Sequence, residues 1–233
     1  MPDETEPGVV ALHLKRYVFA LPWCEEREVL DVACGVGYGT ALLAGTAAHV
    51  VGGDLDEEAI SYARRRYARE NAEYRVLDAA SLPFPDDSFD TVCSFETIEH
   101  LARPEALVLE AARVLRRDGT FVVSTPRAER TTHEPTNPHH RVEFAREDFE
   151  TLLLGAFTEV SLFGQRRRET RRHALLRRAD VLGLRRRSRL LRRASVLTGT
   201  PATEHATLDD VVISQDDLVD AAELVAVCAR PRV

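Results

Sequence analysis

Apolar and polar positions along this chain follow two periods, and the switches between them mark its elements. Residues 9–22 (VVALHLKRYVFALP) carry apolar side chains at helical spacing, and Pro22 helps to stop the helix. EVLDVA at 28–33 is a short apolar run followed by glycines, the pattern of a buried strand. A helix over 37–47 and a second strand at 49–54 (HVVGGD) follow. Asp56 is placed to cap the next helix, with Glu57 and Glu58 in its positive first turn, and that helix runs to about Asn71. Strands are expected at 73–79 and 89–95, separated by a loop rich in proline and aspartate. The pattern at 104–119 is an amphipathic helix ending in arginines and Gly119, followed by a fifth strand at 120–126. A polar loop spans 127–143, then a helix over 146–156 and strands at 157–164 and 222–230.

Strands alternating with helices imply a mostly parallel sheet covered on both faces. The expected fold is therefore α/β: a Rossmann-like seven-stranded sheet sandwiched by helices. Residues 1–233 are expected to form one domain, with 1–22 as an N-terminal lid helix and 166–214 as a basic helical insertion between the last two strands. Ligands of such sheets bind beyond the carboxyl ends of the strands. The chemistry is thus expected just after residues 33, 54, 78 and 95.

Composition narrows the picture. With 44% apolar and 30% charged residues over 233 positions, the chain can bury a core without disulfides or a metal staple. Its four cysteines, Cys24, Cys34, Cys93 and Cys228, show no CxxC spacing and suit small buried side chains in a reducing compartment. The acidic start MPDETEPG lacks the form of a signal peptide, and no apolar run approaches the ~20 residues of a membrane span. A cytoplasmic location is the expectation, with contact to a membrane surface left open.

The loop after the first strand is DVACGVGYG, residues 31–39. Glycines there let the backbone turn tightly and approach a ligand at a helix N-terminus. Asp54 ends the second strand 19 residues after Gly35, where a carboxylate can accept from ribose hydroxyls. The spacing is GxGxG rather than GxGxxG, and Asp31 stands four residues before the first glycine. A carboxylate at that point suits a cationic ligand and repels a pyrophosphate. S-adenosylmethionine carries both a sulfonium and an ammonium.

VLDVACGVGYG resembles the first motif of the class I S-adenosylmethionine-dependent methyltransferases, VVGGDLD their second, and VLDAASLPFPDDSFDTV their third region. RVLRRDGTFVVSTP is similar to the stretch leading into their fifth strand. The resemblance covers roughly residues 10–165 and the last strand. It implies that Gly35 and Gly37 pass beside the methionine part, supported by Asp31. It also implies Asp54 on the ribose, Leu55 and Ala79 flanking the adenine, and Asp78 accepting from its amine. His13, Arg16 and Tyr17 of the first helix could cover the cofactor.

The fourth strand runs into Glu96-Thr-Ile-Glu99-His100. On one helical turn, two carboxylates and an imidazole can hold a divalent cation with open positions. This E-x-x-E-H resembles that of the small-RNA 2′-O-methyltransferases, where it binds magnesium, and of the ubiquinone-pathway O-methyltransferases. The resemblance adds His140, in His-Arg-Val-Glu-Phe, as a fourth ligand; His139 has the look of a loop residue. Without a metal, His100 and Glu96 are the residues to activate or hold the acceptor, His100 as a general base.

The net charge of −7 conceals an asymmetry. Residues 166–193 hold 13 arginines against Glu169 and Asp180, leaving a strongly acidic remainder. The basic stretch fits, in order of preference, a solvated or substrate-covering helical face, an anionic membrane surface, or RNA phosphates. It has no aromatic residue for base stacking, and Lys15 is the chain's single lysine, so arginine is favoured throughout. The expected function is S-adenosylmethionine-dependent O-methylation of a hydroxyl on a small molecule or sugar/glycan intermediate, with Mg2+ or another divalent cation as a second cofactor. The alternatives are RNA ribose 2′-O-methylation and an inactive cofactor-binding module that regulates a partner.

Overall fold

The computed structural model describes residues 7–167, 207–216, 218 and 221–232. Five helices, α1 (Pro7–Cys24), α2 (Tyr38–Leu43), α3 (Glu57–Arg66), α4 (Pro104–Val114) and α5 (Arg146–Leu154), alternate with strands β1 (Glu28–Val32), β2 (His49–Asp54), β3 (Ala72–Val76), β4 (Phe89–Phe95), β5 (Leu115–Pro126) and β6 (Phe157–Arg167). Two more strands follow, β7 (Val211–Ser214) and β8 (Glu223–Pro231). The eight form one sheet in the order β3-β2-β1-β4-β5-β8-β6-β7. The first five in that order pair in parallel, whereas β8 runs antiparallel between β5 and β6, and β7 runs antiparallel along β6. Among the described residues, no helix is long and apolar enough to cross a membrane.

Helices α2 and α3 and strand β3 end several residues before the sequence expectation, and two larger differences change the sheet. Strand β6 continues to Arg167, and Gly164–Arg167 pair with Val211–Ser214, which makes β7 an eighth strand. The first two arginines of the basic stretch therefore belong to the sheet, and residues 168–206 lie outside the described residues. Helix α4 stops at Val114, and Leu115–Gly119 open β5 instead of closing the helix. The register there jumps from Phe89 opposite Leu115 to Thr91 opposite Thr120, so a wide bulge absorbs the Arg-Arg-Asp-Gly run.

Side chains alternate across the strands and give the sheet two distinct faces. Leu30, Val32, Val92, Phe121, Val123, Leu224 and Ala226 pack beneath α4 and α5. Val29, Cys93, Phe95, Val122 and Val225 pack beneath α1 and α2. Asp31 shares parity with Val29 and so points to the α1–α2 side. There α1 lies close: the Tyr17 ring fills the space over Gly39 of α2 and packs edge-on against Phe95 and Tyr38.

A methyl group at Gly39 would stand 2.0 Å from Cζ of Tyr17. Helix propensity alone favours Gly39→Ala, but the ring and α1 would have to shift, an overpacking cost of about 1–3 kcal/mol. The expected outcome is a Tm lower by about 3–10 °C in a thermal melt; a higher Tm would contradict this packing.

Candidate active site

The carboxyl ends of β1, β2 and β4 and the amino end of β8 meet along one edge of the sheet. The glycine loop after β1 is shaped by backbone sign. Gly35 and Gly37 have φ of +55° and +87°, the left-handed region that glycine enters without strain. At Gly37 a Cβ would lie 2.6 Å from Ala63 and 2.7 Å from Tyr74, so this turn is walled in. At Gly35 a Cβ would meet nothing within 4 Å: the backbone borders open space. Asp54 fixes the loop, one carboxylate oxygen accepting from the Gly35 N–H at 2.8 Å and the other from the Asp56 N–H at 3.0 Å. Each oxygen keeps a lone pair for a further donor. Beside it Leu55 is 70% exposed, an apolar side chain presented to the same edge. Asp78 is exposed and accepts from the Ala80 N–H, and Ala79 is buried.

Asp31 has no exposed surface. Its carboxylate accepts from Thr40 Oγ1 at 2.6 Å and from the Tyr17 hydroxyl at 3.3 Å. Burial pushes its pKa up to about 7, with those two hydrogen bonds pulling the other way and Asp54 adding to the rise. No cation of the protein pairs with it in the described structure. A cationic ligand would supply what is missing, so the residues present fit the cofactor that the glycine loop implies.

The acceptor-side residues divide between the two faces. Glu96 stands at φ +53°, ending β4, and the following 3-10 turn comprises only Ile98–His100. Glu96 is therefore not on one helical turn with Glu99 and His100, as the spacing suggested. Consecutive residues of β5 separate the two carboxylates. Ser124 donates to Glu96 Oε1 at 2.8 Å on the α1 side, where Arg16 approaches the same oxygen at 3.5 Å. Thr125 donates to Glu99 Oε2 at 3.2 Å on the other. Glu99, His100 and His140 do converge, with ligand atoms all within 4.8 Å of one another. The Glu99 side chain is buried, and its Oε1 has no hydrogen-bond partner among the described residues. Burial, then the charge of Glu96, lifts its carboxyl to about 8.

Hydrogen bonds fix both imidazoles. His100 Nδ1 donates to the His139 carbonyl at 2.8 Å, which leaves the lone pair of the neutral ring on Nε2, 4.0 Å from Glu99 Oε1. His139 thus contributes its backbone, not its ring. His140 Nδ1 donates to Glu143 Oε1 at 3.0 Å, and its Nε2 accepts from Asn137 Nδ2 at 2.8 Å. Asn137 and Glu143 escaped the sequence analysis, although Glu143 stood in the quoted His-Arg-Val-Glu-Phe; no periodicity flags a hydrogen-bond partner inside an irregular loop. The Glu99 backbone carbonyl accepts from the Arg141 and Val142 N–H groups, which clamps this loop over β4's end. Three of the four ligands expected for a cation are thus together, Glu96 is not among them, and His140 would have to release Asn137.

A methyltransferase-domain family model matches residues 30–123. A probable S-adenosylmethionine-dependent methyltransferase of Mycobacterium tuberculosis is 40% identical over 158 residues, 65% of this chain and 56% of that protein. A fatty-acid O-methyltransferase of Mycolicibacterium smegmatis is 39% identical over 105 residues, 44% of this chain and 38% of its own length. The match spans only about half the length of the first relative, or less for the second. An S-adenosylmethionine-dependent methyltransferase of Mesorhizobium loti shares the fold with a TM-score of 0.59 at 15% identity, over 92% of this chain and 95% of that one.

The raised pKa of Asp31 has a consequence for stability. Between about pH 4 and 7 the folded state keeps a proton that the unfolded state releases, so stability falls as pH rises through that window. Asp31→Asn removes the effect. In ligand-free protein the variant is expected to gain Tm relative to wild type as pH rises from 4 to 8. Parallel Tm–pH curves would refute the assignment.

Proposed function

We propose that this chain, which belongs to the class I S-adenosylmethionine-dependent methyltransferases, methylates a hydroxyl of a small molecule or of a sugar or glycan intermediate. The observation that carries the choice of a hydroxyl is the buried Glu99 Oε1, without a hydrogen bond among the described residues, 4.0 Å from Nε2 of His100 at the loop edge where β4 ends. The fatty-acid O-methyltransferase among the relatives favours oxygen as the methylated atom.

S-adenosylmethionine, when bound, supplies a methyl group on a positively charged sulfur. Asp31 takes the ammonium end, Gly35 and Gly37 leave room for the methionine part, and Asp54 accepts from the ribose. Leu55, Asp78 and Ala79 border the adenine. His100, oriented by the His139 carbonyl, receives the proton of the attacking hydroxyl at Nε2. Holding that oxygen in line with the methyl group supplies much of the acceleration. Glu96, held between Ser124 and Arg16, stands on the α1 side of the sheet.

Glu99, His100 and His140 are the residues that would hold a divalent cation, whose Lewis acidity would lower the hydroxyl pKa and favour a vicinal diol. A second reading, His100 as base without a cation, is favoured by one observation: Asn137 already occupies His140 Nε2.

A thermal-shift titration decides between them. The protein is saturated with S-adenosylhomocysteine, then magnesium, manganese or cobalt is added, for wild type and His140→Ala. The cation reading expects a Tm rise of about 5–10 °C at hundredfold excess over Kd, lost in the variant. A flat response, with the homocysteine product still stabilising the fold, removes the cation and leaves His100 as the base. His100→Gln is then expected to lower kcat about 100-fold or more, with affinity for S-adenosylhomocysteine unchanged. Failure of that product to stabilise the wild type at all would remove the methyltransferase reading itself.

A further inference from the structure

Strand β5 ends at Pro126, but its pairing continues one residue further. The Arg127 N–H donates to the Ala222 carbonyl at 2.9 Å, and the Ala128 N–H donates to the Phe144 carbonyl at 2.9 Å, with Arg127 bridged to Phe144 in parallel. Backbone on both sides therefore holds Arg127 in place. Alternation sets the direction of its side chain. Val123 lies in the core beneath α4 and α5, and Thr125 holds Glu99 on that face. Arg127 is the next residue of the same parity, and Phe144, its bridge partner, belongs to the same core. Arg127 thus stands on the Glu99 face, about 7 Å along the chain from Thr125.

This guanidinium lacks what the others have. Arg75, Arg103, Arg113, Arg116 and Arg230 each pair with a carboxylate at 3.2 Å or less. Among the described residues, no carboxylate pairs with Arg127, and its Nε, which is buried, has no hydrogen-bond partner. Arg130 and Arg141 of the same loop are exposed and can turn to water, whereas Arg127 is half-buried. A cation's donor withdrawn from water without a partner is costly. Ala222, across from it, is exposed, so this edge lies open to an approaching molecule.

We propose that Arg127 receives an anionic oxygen group, a carboxylate or a phosphate, of the methyl acceptor. The proposal rests on the methyltransferase reading and narrows its acceptor to a hydroxyl compound that is also an acid. The planar guanidinium fork takes two oxygens of such a group through Nε and one Nη, and its backbone is already fixed on both sides. Anchoring the anion there sets the position of the rest of the acceptor against His100 and Glu99. Arg127 is a specificity-determining residue and moves no proton.

The test uses inorganic phosphate and acetate as probes, on protein already saturated with S-adenosylhomocysteine so that the cofactor site is filled. Calorimetric Kd values are measured for wild type, Arg127→Gln and Arg130→Gln at an ionic strength held constant with chloride. Wild type is expected to bind at least one probe saturably. Arg127→Gln is expected to weaken that binding about tenfold or more, and Arg130→Gln to leave it within about twofold. A preference for phosphate assigns a phosphorylated acceptor, and a preference for acetate assigns a carboxylic acid. Equal affinity in wild type and Arg127→Gln overturns the proposal, as does the absence of saturable binding of both probes to the wild type. Should Arg127→Gln fail to fold, Arg127→Lys decides instead. It keeps the charge and loses the fork, so the Kd is expected to rise about three- to tenfold, and an unchanged Kd overturns the proposal. Stabilisation by S-adenosylhomocysteine is read before either anion is added. Its failure removes the methyltransferase reading and is distinct from a failure of the anions to bind.

Discussion

A carboxylate with no exposed surface is costly unless donors surround it, and Asp31 has two side-chain donors among the described residues. Thr40 comes from α2 and Tyr17 from α1, so this one acidic group binds the first strand to both helices that cover its face. The Tyr17 ring must lie on a bare backbone to reach it, which is why α2 carries a glycine at position 39. Glycine loop, first helix and strand end are thus three answers to one problem. The group that destabilises the empty fold is the one that a positively charged ligand relieves.

The sheet acts as a partition. Ser124 and Thr125, neighbours on β5, face opposite sides by the alternation of any strand, and each holds one glutamate. Glu96 is thereby joined to Arg16 on the α1 side, and Glu99 to His100 and to His140 of the 127–143 loop. Two carboxylates three residues apart serve different compartments.

Much of this was legible in the residue pattern. β2 and β4 were readable to the residue, because HVVGGD and FDTVCSF are short β-rich segments set off by the flanking loops and by the charged residues that end them. The tight turn of the glycine loop was readable from its spacing, and the structure places Asp31 in β1 and Asp54 at the end of β2, as the apolar runs indicated. What escaped did so for local reasons. Leu115–Gly119 has the composition of a helix end, and only its partner Phe89 draws it into a bulged strand. β7 is four residues long, below the length at which alternation is distinctive. Glu96 was placed with Glu99 on the assumption of a helical turn, whereas its left-handed backbone turns it away. Arg16 could be named as a covering residue, but its burial against Gln165 and Glu96 is visible only in three dimensions.

The position of β8 has a bearing on how the chain is made. It is the last of the eight strands along the sequence, yet it sits inside the sheet, bonded to β5 on one side and β6 on the other. During synthesis from the amino end, β3-β2-β1-β4-β5 can assemble by parallel pairing as each strand emerges. β6 can then pair only with β7, and β5 presents an open row of amides and carbonyls until residues 223–231 have left the ribosome. The nascent chain therefore passes through an interval with two sticky edges, closed by a single late insertion. Shielding of the β5 edge during that interval bears on yield, which the stability of the finished fold does not control.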